Sequence, residues 1–338
     1  VHVSSKDTIS NNNWNFIGNP YPSAIDLELL LQDSNNKNLL SGAFYFWTHH
    51  TPKTGDKYSS DDYATYVVGT GGIKAHPDGK IPSKYVSSCQ GIFVNALRNG
   101  TVILDNPMRV IEPENNFFKT DMLAKKGEEK NRIWLNLSNE QGVFKQILIG
   151  FFEDASPDYD TNYDAVSLQT NAFISFYSIA AGKRYTIQGT NALEEEQSIA
   201  LGLRSDIEEA TNLRISIDHI EGALKENEVL LLDKLNNKTH DLKEGAYDFS
   251  IDKKGTFDDR FVLYIAGQKN PFDREVSENR DGNLLVSEDA ESFEFISKNG
   301  QGILSVKIFD ILGRIILDSD VNEKSVRIKK EKLVNGVL

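Results

Sequence analysis

A single cysteine, Cys89, stands in 338 residues, so no intrachain disulfide can form and no CxxC or Cys/His zinc spacing exists. Stability must come from packing. Lack of disulfides fits a reducing compartment, yet large extracellular domains also do without them, so the compartment stays open on this ground. Long apolar runs are missing too. None approaches the ~20 residues that span a bilayer, and the first residues lack the basic, apolar and small-residue succession of a signal peptide. Basic charge is scarce beside acidic charge: 37 Lys and Arg face 50 Asp and Glu, a formal net charge of −13 spread along the chain. That argues against a nucleic-acid partner. GxSxG, HExxH and a Gly-rich phosphate loop after a strand are all absent, so no nucleophile, zinc or nucleotide site is nominated. Paired carboxylates for glycoside hydrolysis are a tertiary property, and no pair stands out in the sequence.

What fills the chain is strand. Short runs of Val, Ile, Phe, Tyr and Thr, punctuated by Gly, Asn and Asp, predict strands at Ala43–Thr48, Gly91–Leu97, Arg132–Leu137, Phe144–Phe151, Ala172–Tyr177 and Arg260–Ile265. Their regular spacing predicts an all-β chain built of β-sandwich or jelly-roll-like domains with little helix. Too long for one core, the chain is cut by two charged, Gly-containing clusters, Lys125–Asn131 and Gly267–Glu275. The expected organisation is a β-rich domain with one short helix at 1–127, a β-sandwich at 128–268, and a linker with a small Ig-like sandwich at 269–338. A start on Val1 and a stop at Asn335–Leu338, within a strand-like run, read as an excised fragment. Near the start, NFIGNPYPSAID (Asn15–Asp26) packs Gly, Asn and two prolines between apolar runs. Gly18-Asn19 predicts a turn through positive φ, Pro20 and Pro22 an extended exit, and Ser23 with Asp26 a helix start. Every residue there has a backbone reason to be present.

Three groups carry chemistry. In Asp154–Ala165 (DASPDYDTNYDA) the carboxylates of Asp154, Asp158, Asp160 and Asp164 offer oxygen ligands of the kind calcium takes. An EF-hand does not fit, because Tyr163 and Gln169 occupy the positions of its turn glycine and bidentate acid; a solvated Asx-turn loop is the competing reading. Tyr45, Trp47, Tyr58, Tyr63 and Tyr66 gather in one region and form a candidate stacking platform for a glycan or protein ligand, although alternation on strands buries about half of such rings. His49-His50 with Asp61-Asp62 suggests a metal or acid/base cluster, but adjacent strand residues face opposite ways. His76, His219 and His240 stand isolated.

The tail adds a resemblance. Val306-Lys-Ile-Phe-Asp-Ile-Leu-Gly-Arg314, followed by Asn335-Gly-Val-Leu338, closely resembles the C-terminal sorting domains of the type IX secretion system of Bacteroidota. In that family a V-x-I-Y/F-D-x-x-G-R/K strand, turn and strand precede an N-G-V-Y/L strand. About sixty residues match, without the family's final strand and terminal basic residues. The resemblance implies a sorting-signal turn at Asp310, Gly313 and Arg314 with Asn335 and Gly336 in the closing strand. It also implies partners in the outer-membrane export machinery, including a barrel shuttle protein, and a bacterial cell-surface location. Upstream, WNFIGNPYPSAID, RIWLNL, FKQILIGFFEDAS and DDRFVLY look like segments that adjoin such tails in large flavobacterial surface proteins. The expected function is a non-enzymatic, adhesin-like passenger with a secretion tail; the alternative is a carbohydrate-binding module of a secreted glycan-degrading protein.

Overall fold

β-Branched and aromatic runs become strands throughout the described residues, which are 2–3, 14–50, 62–110, 130–168, 173–194, 196–266, 284–288, 292–297, 302–309 and 315–329 of a computed structural model. The protein is all-β, and one short helix is seen among the described residues. It divides into two compact units, Val1–Gln268 and Lys269–Leu338.

In the first unit, a five-stranded antiparallel sheet runs in the order Trp14–Gly18, Gly91–Ala96, Leu40–Trp47, Tyr63–Val67, Gly71–Ile73. Its central strand, Leu40–Trp47, is buried at every position except the intermediate Trp47. A run buried on both faces needs two apolar covers. One is the helix Leu27–Gln32 with its neighbours: Leu27, Leu30, Leu39 and Met108 pack against Phe44, Phe46, Tyr66 and Val94. The other is a much larger sheet.

That sheet has ten strands in path order: Lys238–Asp241, Glu228–Asp233, Gly255–Ala266, Glu196–Ser205, Ile174–Ala180, Lys183–Thr190, Phe144–Phe151, Asn131–Ser138, Thr211–Glu221, Tyr247–Ile251. Ala165–Val166 pairs off the path with Lys183–Thr190. The pairing of Phe144–Phe151 with Lys183–Thr190 is parallel, and the other described pairings in this sheet are antiparallel. Its two ends face one another across a common core that holds Leu231 and Leu263 from one end with Phe249 and Ile251 from the other. A direct bond closes the fold: the Tyr247 hydroxyl, on one end strand, donates to Asp233 Oδ2 near the other end at 3.0 Å. The turn Asp252–Gly255 therefore joins two strands that do not pair, and carries the chain from one layer to the other.

The polar centre of this closure is Asp233. Fully buried, it accepts from Arg260 Nε and Nη2 at 3.1 and 2.9 Å, from Asn236 Nδ2 at 2.8 Å and from the Leu235 N–H at 3.0 Å. Burial alone would raise this carboxyl, but Arg260 holds it below the ordinary carboxylate range. The Arg260 guanidinium in turn lies 4.7 and 4.8 Å from the Phe249 and Phe261 ring centroids.

The NPYP stretch is a corner in this framework. Asn19 does not take positive φ. Instead its buried amide donates to the Ser23, Val86 and Ser87 carbonyls, at 2.7 to 3.1 Å, and its oxygen accepts the Tyr21 N–H. The helix cap is Asp26, accepting from the Glu28 and Leu29 N–H groups; Ser23 accepts from Arg109 Nε.

The second unit pairs Leu284–Glu288, Ser292–Ser297 and Ser325–Lys329 in one sheet and Ile303–Phe309 with Ile315–Glu323 in another. Val306, Val326 and Ile328 form its small core with Phe293, Phe295 and Leu317. The sorting-turn residues Asp310, Gly313 and Arg314, and Asn335 and Gly336, lie outside the described residues, as do residues 125–129 and 267–275 of the two clusters expected as linkers; Asn131, at the end of the first cluster, opens a strand instead.

Removing one partner of a buried ion pair leaves the other charge stranded. Asp233→Ala is expected to lower the unfolding free energy by about 3–5 kcal/mol in urea titration. A loss under 1 kcal/mol would contradict this reading of the closure.

Candidate functional site

The Asp-rich loop is held by its own carboxylates. Asp160 Oδ1 accepts the Asn162 N–H at 2.8 Å, and buried Asp164 accepts the Asp160 N–H on Oδ2 and the Gly189 N–H on Oδ1, both at 2.8 Å. The first is an Asx-turn bond, whereas those of Asp164 tie the loop back on itself and to the strand Lys183–Thr190. They aim the loop's carbonyls outward: Thr161 O accepts from the Gly42 N–H at 2.6 Å, Asn162 O from the Gly69 N–H at 2.9 Å, and Tyr163 O from Thr70 Oγ1 at 2.5 Å. A Cβ at Gly42 would lie 3.0 Å from Asn162 Cα, and one at Gly69 would lie 2.5 Å from the Tyr163 ring, so the approach depends on glycine. The loop latches the large sheet to the small one. Asp154 and Asp158 stay exposed. Among the described residues, no group of three or more His, Cys, Asp or Glu is arranged to hold a metal ion.

The aromatic group is divided by the sheet it sits on. Tyr66 is in the core under the helix, and Tyr45 is in the layer between the two sheets. Burial pushes both phenols well above their ordinary range. Tyr58 lies outside the described residues. Trp47 and Tyr63, which are cross-strand partners, remain half-buried with rings 5.1 Å apart. They continue into rings that sequence proximity did not group with them: Tyr63 to Phe93 at 5.6 Å, and Phe93 to Phe16 at 4.9 Å. Phe16 is 62% exposed and covers Gly91. A five-membered platform is thus not assembled; an edge row of four rings is.

At the end of the same sheet, the chain leaves the Leu40–Trp47 strand and His49 takes φ of 47°. Strand alternation ends there. His49 stacks on Trp47 at 6.1 Å, while His50 turns to His76, ring centroids 3.6 Å apart. The His50 N–H donates to Asp62 Oδ1 at 3.0 Å, and the Asp62 carbonyl accepts from Thr48. His76 Nδ1 accepts the Asp78 N–H at 3.3 Å, so the neutral ring carries its proton on Nε2. Burial and the neighbouring His50 lower the His76 pKa, against Asp78 and Asp62. His50 and His76, separated in sequence, are thus a contact pair, and His49 and His50 part through the positive φ of His49, beyond the end of the strand, rather than through strand alternation.

This pair opens onto a cleft of about 590 Å³. The facing wall comes from the large sheet: the turn Asn139–Val143, with Phe144 and Phe173, and the approach to the strand Thr211–Glu221. Asn139 builds that turn, its Oδ1 accepting the Gln141 and Val143 N–H groups at 3.0 and 2.9 Å. Asn212 Oδ1 accepts from Ser250 Oγ at 2.7 Å. The cleft is a union of both sheets, and no sequence window contains it.

The profile of the family described as "Domain of unknown function (DUF8693)" matches residues 2–265. The chain belongs to that family. Among curated proteins and solved structures, none matches the chain. The DUF8693 match spans the five-stranded and the large sheet of the first unit and ends just before the second unit, so the cleft and the latch lie within family territory.

Burial, aided by Asp160, raises the Asp164 carboxyl from 3.8 to about 7, against two N–H donors that favour its ionised form. The folded protein therefore keeps a proton that the unfolded chain releases near pH 4. Stability from this group is full at acid pH and falls as the pH rises towards about 7. Between pH 5 and pH 8, the wild-type melting midpoint is expected to fall relative to that of Asp164→Asn. A relative rise would contradict the sign.

Proposed function

We propose that residues 2–265 are a non-enzymatic recognition module displayed on a bacterial cell surface, and that the tail unit carries a type IX sorting signal. The supporting observation is modular: the tail is compact by itself, and the family match stops at 265, three residues before the unit boundary at Gln268. An export signal read by separate machinery suits such an appendage. The hairpin of Ile303–Phe309 with Ile315–Glu323 brackets the segment that resembles the family's sorting turn. Fused behind a periplasmic reporter in a Bacteroidota host, the tail from Gly282 to the native end of its gene is expected to bring the reporter to the medium or outer surface. A reporter retained in the periplasm sinks the sorting assignment.

A second reading, that the module binds glycan, is favoured by the cleft, whose polar walls also carry phenylalanine rings. Specific signal from the whole chain on a glycan array supports it, and a silent array favours adhesion through protein contacts.

Calcium in the Asp-rich loop narrows to Asp154, Asp158 and Asp160, because both Asp164 oxygens already accept backbone N–H groups. If an ion binds the folded state alone, calcium at about 100 times its dissociation constant adds ~2.7 kcal/mol, which chelator removes. Equal melting midpoints in calcium and in chelator leave the loop as a latch without metal.

A further inference from the structure

We propose that the cleft between His76 and Phe173 is the ligand site of the module, and that it takes a neutral sugar ring of an oligosaccharide. This rests on the glycan-binding reading above and specifies its place and its ligand. Size comes first. At about 590 Å³ the cleft falls within the range of roughly 300–1,000 Å³ typical of small-ligand pockets.

Its chemistry is that of hydroxyl recognition. A pyranose presents adjacent hydroxyls that each donate and accept, so its site needs fixed donors beside fixed acceptors. Asn139 and Asn212 each have their oxygen engaged by the protein, at 2.9–3.0 Å and 2.7 Å respectively. Their NH₂ groups remain as positioned donors. Gln141, at the exposed tip of the turn that Asn139 fixes, supplies an amide that does both, and Glu209 supplies an acceptor. The neutral His76 ring adds an Nε2 donor, since its Nδ1 is taken by the Asp78 N–H.

The same cleft offers an apolar surface. Phe173 is 63% exposed at its wall, a large ring face left to solvent beside polar groups. Ring C–H groups of a sugar pack on such a face, and this combination of amides with an open ring separates a sugar from a purely apolar ligand.

Charge decides between neutral and acidic sugars. Asp62 and Glu209 line the cleft, and no Lys or Arg is among its described lining residues. Among those residues no cation offsets a uronate or phosphate, and the exposed Glu209 carboxylate repels one. A basic peptide is the competing occupant, since its carbonyls can accept from the amides and its cationic side chains can stack on the ring, so the test includes one.

The test uses the whole chain against three probes: an array of neutral oligosaccharides, their uronic-acid counterparts and a lysine-rich peptide. Titrations of the best neutral hit follow, with wild type, Phe173→Ala and Gln141→Ala. Both positions are exposed, and unchanged melting midpoints certify folding. Binding to neutral glycans with at least a tenfold rise in Kd for Phe173→Ala, and a smaller rise for Gln141→Ala, is the expected result. Unchanged affinity in both variants overturns the cleft while leaving the glycan reading, which Trp47→Ala then tests on the edge row. Preference for uronic acids or for the peptide overturns neutral specificity. A wild type that binds none of the neutral glycans overturns the glycan reading itself.

Discussion

A small sheet with two apolar faces cannot be left half-covered. Phe44 and Phe46 point to one side of the Leu40–Trp47 strand, Ala43 and Tyr45 to the other, and all four are buried. Each fully buried large side chain contributes about 1.5–3 kcal/mol, so exposing either face would cost more than a domain this size can spare. The helix after Asp26 covers the first face. The large sheet must cover the second, and its own strands obey this demand: Ile133 and Leu135 face inward while Trp134 faces out, as Leu148 does between Ile147 and Ile149. Trp134 also donates its Nε1–H to the Gly72 carbonyl at 2.8 Å. Residues 14–110 and 130–266, although their strands belong to separate sheets, thus share one core.

The polar groups at this seam give it register. Arg132 Nη1 donates to the Thr70 carbonyl at 2.8 Å while its other nitrogens hold Glu221, and Lys74 joins Asp218 at 2.9 Å. From the other side, the Asp-rich loop reaches back to Gly42, Gly69 and Thr70. Hydrophobic contact is non-directional, whereas these bonds fix one arrangement of the two sheets. The cleft depends on that arrangement, because the His50–His76 wall is carried by one sheet and the Asn139, Phe144 and Asn212 wall by the other.

Much of the fold could be read from residue order. AFYFWT, RIWLNL, FKQILIGF and RFVLYI combine β-branched and aromatic residues in runs too apolar for a loop, and each lies in a strand. Alternation also shows in hindsight that Tyr63 and Tyr66, three apart, must face opposite ways. What was not legible depends on partners far along the chain. The spacing of Ser23 predicts a helix start, but Arg109 claims its hydroxyl. Gly18-Asn19 predicts a positive-φ turn, but Asn19 is present for a side chain that bonds to carbonyls 67 and 68 positions on. His76 stands isolated in the sequence because only the backbone reversal at His49 brings His50 to it. Phe16 and Phe93 join the edge row through strand pairing, which no local window reveals. The acidic loop left two readings open, since carboxylates that bind a cation and carboxylates that cap backbone N–H groups are spelled alike.

The central claim is that the seam makes the first unit a single cooperative body. Native-state hydrogen exchange on the whole chain, with and without Trp134→Ala, tests it most directly. Amides of Leu40–Trp47 and of Phe144–Phe151 should open with a common free energy in the wild type, and the substitution should lower both by the same amount. Protection lost in Phe144–Phe151 alone, with Leu40–Trp47 unaffected, would show two independent domains and contradict the account.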